Sequence, residues 1–269
     1  MAYFSGKQAV ITGAGSGIGR ALALQLNAEG CHLWISDVND EGLAETVQLL
    51  GNKEANCDAR HLDVADRSAV HRLADDVAAT VRHVDLVVNN AGVGLGSRVD
   101  ETRYEDLEWL MNINFWGVVN GTIALLPLLK QSTSGHLVNI SSIFGMVGMP
   151  EVSAYNASKF AVRGFTEALR QEMAGTNVHV CCVHPGGIKT NIARNSRSSD
   201  PDIDLDERAK AFDRMARTTP ESAAAQIIRA AEKRKKRLLI GADAKYLSLI
   251  SRLFPVNYPR LIPNLPSQL

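Results

Sequence analysis

A chain of 269 residues with 45% hydrophobic and 22% charged side chains has the composition of an ordered globular protein. That length supplies one large domain or two small ones without disulfide or metal staples. Lys plus Arg and Asp plus Glu each number 29, so no net field favours nucleic acid or an acidic membrane.

The four cysteines, Cys31, Cys57, Cys181 and Cys182, show no CxxC spacing, which reads as thiols in a reducing compartment and predicts a cytoplasmic protein. Together with the 7 histidines they form no set with metal-ligand spacing, so no metal is expected. Met1 to Lys7 lacks the charged and apolar regions of a signal peptide. The densest apolar stretch, Ile123 to Leu129, is 7 residues long and interrupted by Pro127, so no spanning helix is expected.

Along the chain, short apolar or β-branched runs alternate with longer stretches of helical spacing. The predicted strands are Gln8–Thr12, His32–Asp37, Ala59–Leu62, Asp85–Asn89, His136–Ile140, Val178–His184 and Arg237–Ile240. The predicted helices are Gly17–Glu29, Glu41–Leu50, Asp66–Val81, Tyr104–Leu129, Ser153–Ala174 and Glu221–Lys235. Such βα alternation predicts an α/β fold: one doubly wound sheet of about seven parallel strands with helices on both faces. Ligand then binds at the carboxyl ends of the strands. No linker splits the chain, so residues 1–269 are read as one domain, mainly cofactor-binding and catalytic over 1–185. Gly186 to Asp206 has no clear period and reads, with the residues up to 219, as a substrate lid.

The first strand runs into Thr12-Gly13-Ala14-Gly15-Ser16-Gly17-Ile18-Gly19 and then into a helix. A glycine-rich turn there lets backbone amides approach a pyrophosphate at the positive end of the helix; its spacing is TGxxxGxG rather than GxGxxG. Asp37 ends the second strand near the offset at which a carboxylate meets the adenosine ribose hydroxyls, although a cap or turn aspartate has the same appearance. A 2′-phosphate would be repelled by it, and Ser16, Val38 and Asn39 supply no cation, so NAD is expected over NADP.

Tyr155 and Lys159 stand four apart in a helical stretch and share a face. An ammonium beside a phenol, aided by a positive nicotinamide ring, brings the phenol toward the working range of an acid/base. YxxxK alone is also an ordinary helix face; Ser142, at the carboxyl end of a strand, is the second candidate, able to bond a substrate oxygen or merely to shape a turn.

TGxxxGIG over Thr12–Gly19, Asn-Asn-Ala-Gly over Asn89–Gly92, Ser142, Tyr155-x-x-x-Lys159 and Pro185-Gly186 together resemble the short-chain dehydrogenase/reductase family, in matching order over roughly residues 5 to 240. The resemblance implies a Rossmann-type fold, a nicotinamide cofactor and hydride transfer between an alcohol and a carbonyl. It assigns Asn114 to holding a proton-relay water, with Asn112 the competitor and a structural role equally open on the residues alone. It makes Ser142 the substrate-orienting residue and Tyr155 the proton-exchanging one, and has Lys159 also grip the nicotinamide ribose. Adenine contacts fall on Asp63 and Val64, where Asp63 could also be a turn residue. Further cofactor contacts fall on Asn90, Ala91 and Gly92, and those with the carboxamide on Pro185, Gly186, Ile188 and Thr190, with the pro-S hydrogen transferred. It also implies a homodimer or homotetramer through the two long helices.

Under the same geometry Phe144, Met146, Val147 and Met149 border the substrate, which points to a hydrophobic secondary alcohol or ketone, steroid-like, retinoid-like or longer-chain. A catalytically silent NAD-binding sensor is the alternative; a sugar-nucleotide epimerase is disfavoured by the short stretch after the last strand. The five basic residues Lys233–Arg237 read as solvated cations at a helix end. Residues 242–269 read as an amphipathic helix and a tail punctuated by Pro255, Pro259, Pro263 and Pro266. This tail packs on its own domain or a neighbouring subunit, or else walls the substrate pocket or touches a membrane surface.

Overall fold

The computed structural model describes residues 2–199 and 204–262. Strand β1 (Gln8–Thr12) leads through the glycine turn into α1 (Gly17–Ala28), then β2 (His32–Asp37), α2 (Asp40–Leu49), β3 (Cys57–His61), α3 (Arg67–Thr80) and β4 (Leu86–Asn89). A short strand β5 (Leu95–Gly96) precedes α4 (Tyr104–Met111), a π-helical turn over Asn112–Trp116, and α5 (Gly117–Gln131). Then follow β6 (Gly135–Ile140), α6 (Ser153–Glu172), β7 (Val178–Pro185), a two-residue β8 (Arg197–Ser198) and α7 (Leu205–Met215). The sequence of elements continues with α8 (Pro220–Glu232), β9 (Arg237–Ile240), α9 (Ala242–Leu253) and a 3-10 turn over Tyr258–Leu261.

Seven strands form one sheet in the order β3-β2-β1-β4-β6-β7-β9, parallel at every pairing. The central strands are apolar on both faces: β4 and β6 are buried throughout, as a sheet covered on both sides requires. One face packs Ile11, Leu22, Leu26, Ile35 and Ile227 under α1 and α8; the other packs Val10, Val87, Leu125, Leu129 and Leu137 under α3 and α5. Strand order reverses between β1 and β4, which opens the crevice above their carboxyl ends where the site lies.

Two expectations change, those of the long helix and of the lid. The predicted helix Tyr104–Leu129 is interrupted by the π turn, where the Gly117 amide donates to Asn112, five residues back. By length and composition Tyr104–Gln131 could cross a membrane, a reading the seven-residue Ile123–Leu129 measure passed over; half of its most apolar window is buried inside the protein. The stretch read as an aperiodic lid carries β8 and α7, and β8 pairs with β5 in a separate two-stranded sheet. Residues 200–203 of that lid and Pro263 and Pro266 of the tail lie outside the described residues.

Among the described residues no group of three or more His, Cys, Asp or Glu could hold a metal, and all four cysteines are unpaired. Burial pushes the Cys181 and Cys182 thiols up to about 12, so they behave as small core residues. Lys233–Arg237 is exposed throughout; it opens β9 at the end of that strand opposite α9, so the two do not continue one another.

Candidate active site

The turn from β1 to α1 needs its glycines. Gly13 and Gly17 have φ +69° and +52°, and a methyl group on Gly13 would stand 2.8 Å from the Cα of Ala91. A methyl on Gly19 would overlap the Gly13 carbonyl. Ser16 caps α1 without a side-chain hydrogen bond, and the first turn of α1 holds no acidic residue, so its amides are left for an anion. Ile18 is buried beneath the turn, and Thr190 packs over Gly17, its Cγ2 3.1 Å from where a Cβ would lie.

Asp37 Oδ2 accepts the Gly15 amide at 2.8 Å and Oδ1 accepts the Asn39 amide at 2.9 Å, which fixes a carboxylate beside the glycine turn. Sequence reasoning missed Arg20, which reaches the same turn: Nη2 donates to Gly15 O at 2.5 Å, Gly42 O at 3.1 Å and Glu45 Oε2 at 2.7 Å. Its position one residue past the TGxxxGxG run was the available signal. It is the nearby cation, yet its Nη2 already meets Glu45 and two carbonyls and its Nε donates to Thr46 Oγ1 at 3.0 Å.

Asp63 is exposed and forms a turn, with Oδ1 accepting the Ala65 amide at 2.9 Å. Val64 is buried, its carbonyl held by Asn120 Nδ2 at 3.0 Å. Asn90 spends its side chain on the Thr12 and Gly13 carbonyls, at 3.0 and 3.1 Å, while Thr12 Oγ1 accepts the Asn90 and Ala91 amides at 3.1 Å each. The β1 and β4 loops are thereby locked together, and Gly92 projects past them to a point flanked by Asn114 Oδ1 and Lys159 Nζ.

Asn114 is fully buried within the π turn. Its Oδ1 accepts the Val93 amide at 2.8 Å, and its Nδ2 donates to Val93 O at 2.9 Å and Ser158 Oγ at 3.2 Å. The side chain thus stitches β4's loop to α6. Asn112 makes no such bond, and lies at the start of the π turn.

Tyr155 and Lys159 share one face of α6, with the ammonium 5.7 Å from the phenol ring centroid. Lys159 is buried and donates to Ile140 O at 3.2 Å. Ser142 caps the short 3-10 turn after β6, with Oγ accepting the Phe144 amide at 3.1 Å, and its side chain acts on the Tyr155 phenol.

One electrostatic expectation is corrected. Burial pushes the Tyr155 phenol up to about 12, opposed by the Ser142 hydrogen bond, and pushes Lys159 down to about 8. Taking both groups out of water costs more than the ammonium at this range returns, so these side chains alone do not favour phenolate.

The loop after β7 is braced from the far side. The Gly187 amide donates to Asp243 Oδ2 at 2.7 Å, and the Gly186 amide to Ile240 O at 2.9 Å. Pro185 closes β7, and Ile188 is buried and bridges Thr218. Met146, Val147 and Met149 are buried and Phe144 partly buried in one cluster with Tyr155, Leu247, Tyr258 and Ile262. Phe144 meets the Tyr155 ring edge-on at 6.3 Å between centroids. The tail joins this cluster through Leu247, Tyr258 and Ile262, anchored by Tyr258 Oη, which accepts the Gly148 amide at 2.7 Å.

Asp106 on α4 is buried and accepts from Arg103 Nη2 at 2.6 Å, Arg197 Nη1 at 3.4 Å and Ser199 Oγ at 3.2 Å. Desolvation raises its carboxyl, but these donors outweigh it and hold the group below the usual range. The Arg197 guanidinium also lies 3.8 Å from the Trp109 ring centroid.

Comparison with known proteins agrees with this geometry. Residues 7–201 match the family described as short chain dehydrogenase. The chain is 49% identical over 265 residues to the "Putative oxidoreductase SadH" of Mycobacterium tuberculosis, covering 97% of this chain and 96% of that one. It is 34% identical over 258 residues to dehydrogenase/reductase SDR family member 7B of Xenopus laevis, covering 93% and 79%. A crystal structure of a short-chain dehydrogenase/reductase from Burkholderia phymatum in complex with NAD superposes with a TM-score of 0.86 at 30% identity, covering 99% of both chains. With the glycine turn, the Asn114–Ser142–Tyr155–Lys159 cluster and the sheet order all in place, the chain belongs to the short-chain dehydrogenase/reductase family of oxidoreductases, whose members bind a nicotinamide cofactor.

Proposed function

We propose that this protein is an NAD-dependent oxidoreductase that interconverts a secondary alcohol and a ketone on a hydrophobic small molecule. The observation that carries the reading is the Lys159 ammonium 5.7 Å from the Tyr155 ring, on a helix face beside Ser142 and an apolar cluster.

The residues present fit the cofactor. The uncapped amides at Ser16–Gly19 and the Gly13 turn suit the pyrophosphate; Asp37 suits the adenosine ribose; Asp63 and Val64 suit adenine. Asn90, Ala91 and Gly92, with Tyr155 and Lys159, line the nicotinamide side, closed by Pro185, Gly186, Ile188 and Thr190. The pinned Asp37 carboxylate and an Arg20 already spent on Glu45 support NAD over NADP. Bound nicotinamide supplies the hydride acceptor or donor.

The chain's own part is the proton. Tyr155 takes the hydroxyl proton in oxidation and returns it in reduction, Ser142 orients the reacting oxygen, and Lys159 places positive charge beside the phenol and on the ribose. Asn114 holds the relay side of the pocket in register. Phe144, Met146 and Met149, sealed by Leu247 and Tyr258, make the apolar wall that selects a hydrophobic substrate.

We read residues 1–269 as one domain in the cytoplasm, on the strength of its unpaired thiols, and as a homodimer or homotetramer through the exposed Trp116, Ile123 and Phe160. The outer stripe of α9, Tyr246, Leu249 and Leu253 beside Lys245 and Arg252, is suited to peripheral contact with an anionic membrane. The test is titration with NAD and NADP, then reduced-nicotinamide absorbance over secondary alcohols graded by size and polarity. Turnover of apolar alcohols with NAD is expected; turnover confined to polar polyols, or tight NAD binding without turnover of any alcohol, overturns the substrate or enzyme reading respectively.

A further inference from the structure

Strand β7 ends Val183-His184-Pro185, and the His184 imidazole is fully buried beside the site without any part in the chemistry above. Its Nδ1 lies 3.0 Å from the Ser142 carbonyl. A carbonyl oxygen only accepts, so Nδ1 carries the ring proton and Nε2 is left as a lone pair. Nε2 has no hydrogen-bond partner among the described residues. Burial, slightly opposed by the bond to Ser142, holds the ring neutral by pushing it down to about 4.

The same Ser142 carbonyl accepts the Gly145 amide at 2.9 Å, so both of its lone-pair directions are taken. One residue earlier, Ser141 donates its amide to Val183 O at 2.8 Å and its hydroxyl to Lys159 O at 2.8 Å. The Ser141-Ser142 segment is therefore clamped between β7 and α6. With Ser142 Oγ already accepting from Phe144, its own proton is left to the phenol side of the pocket.

We infer that His184 is a positioning residue: as the Nδ1–H tautomer it locks the Ser142 peptide so that the serine hydroxyl faces Tyr155, and couples that peptide to the Pro185–Gly186 turn that follows it. The inference rests on the proposed role of Ser142 and deepens it. His184 touches no reacting atom; it acts through the carbonyl of the residue that does.

The experiment compares His184→Asn, whose amide can stand in for Nδ1, with His184→Leu, which cannot donate. The readouts are kcat and KM on a substrate found in the alcohol panel, NADH affinity by fluorescence titration, thermal denaturation, and the ¹⁵N chemical shifts of the His184 ring in the wild-type protein. Expected are a neutral Nδ1–H tautomer from pH 6 to 8 and a kcat for His184→Leu lower by about 10- to 100-fold, the scale on which small misplacements act. NADH affinity should stay within about threefold, and His184→Asn should recover most of the lost rate. An Nε2–H tautomer, an unchanged kcat in His184→Leu, or equal losses in both variants that follow their melting temperatures overturns the inference. A wild-type protein without turnover defeats the oxidoreductase reading instead, and the tautomer measurement still decides the hydrogen bond. Should His184→Leu fail to fold, the tautomer and His184→Asn decide the matter.

Discussion

Asp37 Oδ2 and the Gly15 amide, 2.8 Å apart, join the end of β2 to the phosphate-type turn after β1, and a methyl group on Gly15 would press on that carboxylate at 2.9 Å. Turn geometry is thus tied to this side chain, and the proposed preference for NAD rests on it. Asp37→Ser should weaken NAD binding by about 10- to 100-fold, the worth of a charge-assisted hydrogen bond, while NADP binding improves. Fluorescence titration with both reduced cofactors checks this, and unchanged NAD affinity would remove Asp37 from the site.

The pocket raises the Tyr155 phenol to about 12, so the resting group is a proton donor. Ketone reduction, which consumes that proton, should hold its rate near neutrality, while alcohol oxidation should climb from pH 7 to pH 10 as phenolate becomes accessible. Tyr155→Phe should lower both directions by at least about 10²-fold, the smaller end of general acid–base contributions. NADH affinity should change little; retained turnover in that variant defeats the acid/base assignment.

Lys159 donates a hydrogen bond to Ile140 O, and burial pushes it down to about 8 from 10.5. Between those values the unfolded chain binds a proton that the folded chain does not, so this group's contribution to stability rises with pH across that window. Below pH 8 the full cost remains, on the order of 3 kcal/mol for the shift from 10.5 to about 8. Lys159→Met should therefore abolish turnover yet melt several degrees higher at pH 7, at roughly 2–4 °C per kcal/mol. The gain should shrink at pH 10.5; a lower melting temperature at pH 7 would show that the ammonium stabilises the fold.

Asp106 pins the segment after β7 to α4 through Arg197 and Ser199, while Arg103 at the start of α4 braces the same carboxylate. Asp106→Asn should loosen β8 selectively, with exchange of the Arg197 amide, now bonded to Gly94 O at 3.1 Å, faster by about tenfold. Global melting should move far less, because the Arg103 and Arg197 side chains are 63% and 49% exposed. Hydrogen exchange resolved by residue distinguishes this local release from general destabilisation.

The strands of the main sheet were legible in the sequence because most carry a short apolar run set between helical stretches, while the largely polar β3 was legible by its place in the βα alternation. Boundaries moved by a residue or two where hydrogen bonding rather than hydrophobicity decides, as when the third strand begins at Cys57 instead of Ala59 and ends at His61. Ser142, Tyr155 and Lys159 were found by spacing, and the structure gathers them. What escaped has no local period: β5 and β8 are two residues each and exist only by pairing with each other. Helix α7 was hidden in a polar stretch whose start is marked only by Asp204, which caps it by accepting the Asp206 and Glu207 amides. The reach of Arg20 and the hold of His184 on Ser142 depend on contacts between distant elements, and no pattern within one element announces them.

The π turn at Asn112–Trp116 amounts to one surplus residue in a long helix. Each residue of an α-helix advances about 100°. Deleting one residue between Asn112 and Trp116 would restore regular winding and swing either α4 or α5 by that angle. Asn114 would turn away from Val93 and Ser158, or Leu125 and Leu129 would turn out of the core. The site and the sheet packing consequently share a phase, and a length change of a single residue here should be less tolerated than most substitutions at the same positions.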